Sequence, residues 1–80
     1  MLWIKLKIGE AVFIDNVALV LEYKDSYGIV VKYMGNQVAV KRDSSFNFGK
    51  FTLHSGDRHK GLRLGFEAPP EVIIRRRPKL

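Results

Sequence analysis

The opening run Leu2-Trp3-Ile4-Lys5-Leu6-Lys7-Ile8 most constrains what this chain folds into. Leu2, Ile4, Leu6 and Ile8 recur at every second position, with Trp3, Lys5 and Lys7 between them. Successive side chains of a strand point to opposite faces, so this period gives one buried face and one wet face. The same period runs through AVFI (11–14), VALVLEYK (17–24), GIVVKYM (28–34), QVAVKRD (37–43), FTLH (51–54), GLRLGF (61–66) and VIIRR (72–76). No window follows a 3.6-residue period as well, and β-branched and aromatic residues abound. Pro78 prevents residues 75–80 from leading into a helix. The expectation is one all-β domain over residues 1–80, built from about seven short strands.

Turn chemistry separates these runs. Gly9-Glu10 ends the first, Asp15-Asn16 the second, and Gly35-Asn36 is expected at a tight hairpin. SSFNFGK (44–50) reads as a loop carrying two aromatics, and SGDRHK (55–60) as a second hairpin connection.

A chain of 80 residues buries only about 60% of the surface its unfolded form exposes, so it needs a further stabiliser. There is no cysteine, which removes disulfides and thiolate metal sites and leaves oligomerisation. A homo-oligomer is therefore expected. No uncharged apolar stretch approaches the length of a membrane span, and the N-terminus alternates with lysines instead of forming a signal-peptide core. The expectation is a soluble, cytoplasmic protein without membrane contact.

Net charge is +6, and it is lopsided. Residues 72–80 carry Arg75, Arg76, Arg77 and Lys79 with no acid, while the rest has ten bases against eight acids. Such a run either solubilises a terminus or meets an anionic partner. The arginines end a predicted strand, which aims them, and a guanidinium fork suits phosphate or a base edge. Trp3, Tyr23, Tyr27, Tyr33 and the phenylalanines offer stacking surfaces to single-stranded nucleic acid, although most aromatics in so small a domain fill its core.

Chemistry of other kinds finds little to stand on. His54, Asp57 and His59 have metal-ligand character, but three ligands on one turn fall short of a closed four-ligand site. Glu67 and Glu71 flank Pro69-Pro70 without any sign of the tuning an acid–base pair requires. Ser44, Ser45 and Ser55 lack a nucleophile motif, and no glycine-rich loop joins a strand to a helix. No enzyme, metal or cofactor is expected.

Two separated stretches, MLWIKLKIGEAVFI and GLRLGFEAPPEVIIRR, together resemble the carbon storage regulator (CsrA/RsmA) family of small RNA-binding translational regulators. The resemblance implies an intertwined, CsrA-like β-sheet homodimer, in which the first strand of one subunit lies beside the last strand of the other. It implies binding of GGA-type motifs in single-stranded loops of messenger RNA or small regulatory RNA. The RNA-binding residues it implies are Ile4, Lys5 and Lys7 on the first strand and Ala68 and Pro69 at the turn. Val72, Ile74, Arg75 and Arg76 follow on the last strand, with Arg76 at the family's key arginine. Leu6 stands where the family usually has a base, and residues 25–60 would be an inserted β segment. An alternative use of the same fold is structural, as a phage capsid or virion decoration subunit whose basic tail grips acidic protein surfaces.

Overall fold

The computed structural model describes residues 1–58 and 60–78, all of them strand, turn or loop. The strands are β1 (Leu2–Ile4), β2 (Ala11–Ile14), β3 (Val17–Asp25), β4 (Gly28–Tyr33) and β5 (Asn36–Lys41), then β6 (Ser45–Asn47), β7 (Thr52–Asp57), β8 (Leu62–Glu67) and β9 (Ile74–Arg75). They form two antiparallel sheets, ordered β1-β8-β7-β6 and β5-β4-β3-β2-β9. Most neighbours in the sheets are neighbours in the chain. This is what short hairpin turns produce from a chain with no helix to carry it across a sheet.

Between the sheets lies one core. Val12, Ile14, Leu19, Leu21, Ile29, Val31, Tyr33 and Val40 face inward from the five-stranded sheet, and Ile4, Leu53, Leu64 and Phe66 from the four-stranded one. Each fully buried aliphatic or aromatic side chain stabilises the fold by about 1.5–3 kcal/mol. Phe51 meets Tyr33 edge-on at 5.3 Å, stacks on Phe48 at 4.9 Å and tilts against Phe66 at 6.0 Å. SSFNFGK is therefore more than a loop: β6 forms there, and Phe48 packs against the core.

Turn positions shift by a residue or two from expectation. Asp15 (φ 48°) and Asn16 (φ 67°) make the β2–β3 turn as expected, in the left-handed conformation a two-residue hairpin requires. The β4–β5 turn is Met34-Gly35, and Asn36 has joined β5 opposite Tyr33. Ser55, Gly56 and Asp57 belong to β7, so the hairpin loop starts at Arg58.

Residues 25–60, expected as an insertion, supply β4 to β7 and the core residues Ile29, Val31, Tyr33, Val40, Phe51 and Leu53. The segment contributes β4 and β5 to the five-stranded sheet and β6 and β7 to the four-stranded one. The first and last strands are edge strands paired within the chain, β1 with β8 and β9 with β2. Only Ile74 and Arg75 of VIIRR are in strand, because Val72 N–H is drawn into a turn by the Pro69 carbonyl at 3.0 Å.

One irregularity positions the site. The β3–β4 register shifts between Leu21 and Tyr23, with Leu21 opposite Val31 and Tyr23 opposite Val30. The extra residue, Glu22, reverses the phase of everything after it. Tyr23 faces outward and is 52% exposed, while Lys24, opposite the buried Ile29, turns inward.

Candidate nucleic-acid interface

The segment from Lys5 to Glu10 carries the chain from β1 in one sheet to β2 in the other. Leu6 anchors it, 1% exposed in the core. A base at that position would be buried against apolar side chains, which explains a leucine there in physical terms. The turn that follows is closed by Glu10, whose N–H donates to the Lys7 carbonyl at 2.9 Å and whose carboxylate accepts from Lys7 N–H at 2.7 Å.

Two cations from distant parts of the chain bind successive carbonyls of this bridge. Arg76 Nη2 donates to Lys5 O at 3.1 Å, and Lys24 Nζ to Leu6 O at 2.8 Å. Lys5 and Lys7 themselves are exposed. Four basic side chains thus gather around three residues of backbone. The Arg76 guanidinium has five N–H donors and spends one on this contact, so its fork remains available. Among the described residues, Lys5, Lys7, Arg75, Arg76 and Arg77 enter no ion pair, whereas Arg42, Lys50 and His54 pair with Asp57, Asp15 and Glu67. Unpaired positive charge concentrated at one seam attracts an extended polyanion.

The last strand is brought here by Asp15. Its carboxylate accepts from Ile73 N–H at 2.9 Å, and its own N–H donates to the Ile73 carbonyl at 2.8 Å. The Ile73 hydrogen bond, helped by Lys50 at 3.4 Å, holds the Asp15 carboxyl below its ordinary pKa of 3.8 against a smaller opposing effect of desolvation. Asp15 therefore couples the β2–β3 turn to β9, and β9 to the Arg76 contact.

The residues singled out from sequence divide by environment. Lys5, Lys7, Pro69, Arg75 and Arg76 are exposed, Ala68, Val72 and Ile74 are half-buried against the core, and Ile4 is 6% exposed inside it. The Ile4 side chain lies in the core, and its residue pairs with Leu64 of β8. Ala68, Val72 and Ile74 fix the backbone of the turn and of β9. Strict alternation points Lys24 at solvent, and the bulge at Glu22 turns it toward the Leu6 carbonyl instead. Of the aromatics, Tyr33, Phe51 and Phe66 are in the core, and Trp3, Tyr23 and Tyr27 are on the outside.

Glu67 bonds His54 at 3.0 Å, while Glu71 is exposed in the turn. Among the described residues no three His, Asp or Glu side chains are grouped to hold a metal ion; His59 lies outside them, as does Lys79 of the basic tail. Among the described residues no helix is long and apolar enough to cross a membrane. Set against protein-family models, curated proteins and solved structures, the chain matches none of them.

Proposed function

We propose that this chain is an RNA-binding translational regulator that takes single-stranded loops of messenger or small regulatory RNA at the seam between its two sheets. The observation that carries the reading is the gathering of Lys5, Lys7, Lys24 and Arg76 around the bridge at residues 5–7, with no carboxylate among the described residues paired to Lys5, Lys7 or Arg76. Lys5 and Lys7 meet phosphates, and the free fork of Arg76 meets a base edge. The resemblance to the carbon storage regulator family adds the sequence preference, GGA-type motifs, and the assembly, a cytoplasmic homodimer. Its support in the fold is that β1 and β9 are both edge strands, each with one side open to a strand of a second copy.

The test is equilibrium binding of a GGA hairpin and a scrambled hairpin at two salt concentrations. The GGA hairpin is expected to bind more tightly at both. Arg76→Ala is expected to cost about 1–3 kcal/mol on the GGA hairpin and much less on the scrambled one. Equal affinity for the two hairpins refutes sequence recognition.

The structural reading, a capsid or virion decoration subunit, is favoured by one different observation. Tyr23 and Tyr27, 52% and 82% exposed, rim an apolar cleft on the outer face of the five-stranded sheet. In that case the protein would join a larger lattice stoichiometrically, and Tyr27→Ser would abolish assembly while leaving RNA binding unchanged.

A further inference from the structure

The outward face of β1 carries Trp3, two residues before Lys5 in the bridge that follows, about 7 Å of extended chain. Its ring lies on a floor of glycine. A Cβ on Gly65 would come within 2.9 Å of the ring, and one on Gly56 within 3.3 Å. The Arg58 guanidinium sits 4.6 Å from the ring centroid. Beside this pair is a cleft of about 230 Å³, lined by Asp43, Ser44, His54 and Gly56 together with Trp3 and Arg58. That is below the roughly 300–1,000 Å³ typical of drug-sized ligands, and suits one planar base.

The cleft has selective chemistry. Asp43 Oδ1 reaches to within 3.7 Å of where a Gly56 Cβ would be, and its carboxylate has no hydrogen bond or ion pair among the described residues. Its neighbour Arg42 is already committed to Asp57. An ionised carboxylate is an acceptor only, so it selects a base edge presenting adjacent donors. Guanine does so, with N1–H and the N2 amino group, whereas adenine pairs a donor with an acceptor on that edge.

We infer that the Trp3–Asp43 cleft is a guanine-binding pocket that extends the RNA track from Lys7 and Lys5, a deepening that rests on the RNA reading above. The base stacks on Trp3 and the Asp43 carboxylate accepts from its Watson–Crick edge. Stacking on tryptophan is stronger than an exposed cation–π contact, so the base displaces Arg58, and the freed guanidinium takes the adjoining phosphate.

Trp3 is the sole tryptophan, so its fluorescence reports the pocket directly. The experiment titrates the full chain with the RNA pentamers UUGUU, UUAUU and UUIUU, inosine lacking the N2 amine, and separately with guanosine monophosphate. UUGUU is expected to quench Trp3 and to bind about tenfold more tightly than the other two. Asp43→Asn keeps a residue that tolerates the left-handed backbone at this position (φ 61°), and is expected to reduce the guanine preference to less than twofold. Salt-sensitive binding of all three pentamers with unchanged fluorescence overturns the pocket and leaves the RNA reading standing. Quenching by guanosine monophosphate with no pentamer binding supports the pocket and overturns the RNA reading. A guanine preference that survives Asp43→Asn overturns the assignment of the carboxylate.

Discussion

Gly28 is where a single methyl group would do most damage. Its φ is 154°, and a Cβ there would fall on the Val40 carbonyl oxygen and within 2.9 Å of Lys41 Cα, both backbone atoms that cannot swing aside. Gly28→Ala is expected to lower stability by about 1–3 kcal/mol through overpacking, measured by urea denaturation. Ser55 has the opposite sign. It is 2% exposed opposite the buried Leu64, and its hydroxyl has no partner among the described residues. Removing an unsatisfied buried hydroxyl relieves its desolvation cost, so Ser55→Ala is expected to raise stability by up to about 1 kcal/mol in the same titration.

At the scale of the element, β9 depends on a side chain outside itself. A two-residue strand cannot hold its place by its own pairing, and Asp15 supplies the added grip through Ile73. The Asp15 pKa is lower in the folded chain than unfolded, so its contribution is fully present above the ordinary carboxylate range and is lost as pH falls through the folded value. Hydrogen exchange at the Ile73 amide should therefore accelerate in acid, relative to core amides such as Val31. Asp15→Ala should produce the same acceleration at neutral pH and weaken RNA binding with it, because β9 carries Arg75 and leads to Arg76. Unchanged protection of Ile73 in that variant would mean that backbone pairing with β2 suffices.

At the scale of the whole molecule, charge and assembly are the testable properties. If Lys5, Lys7 and Arg75 each neutralise a phosphate, log K should fall with log salt at a slope of about −2 for single-stranded RNA. Lys5→Gln should reduce that slope by about 0.7 and weaken all sequences alike. Sedimentation equilibrium at micromolar concentration is expected to give twice the 9.2 kDa chain mass; a monomer at all concentrations would refute the homodimer.

The period of two determined much of this protein by itself. It dictated an all-β chain, and put Leu2, Ile4, Leu6 and Ile8 on one face and Trp3, Lys5 and Lys7 on the other, because pleat geometry is local; Ile4 and Leu6 are buried, whereas Leu2 and Ile8 at the two ends of the run are exposed. Asp15-Asn16 fixed a turn for the same reason. Periodicity could not say which strands pair; an insertion at residues 25–60 rests on the family resemblance alone, and packing is what puts Ile29, Val31, Tyr33, Val40, Phe51 and Leu53 of that segment in the core. Nor could it foresee the extra residue at Glu22, which is visible only as a mismatch between two paired strands. By strict alternation Tyr23 would follow Leu19 and Leu21 into the core and Lys24 would face solvent; the bulge exchanges them. Tertiary structure alone decided that Lys24 and Arg76, 52 positions apart, meet the same three residues of backbone. Contacts between distant segments are chosen by how whole sheets pack, and no local pattern encodes that choice.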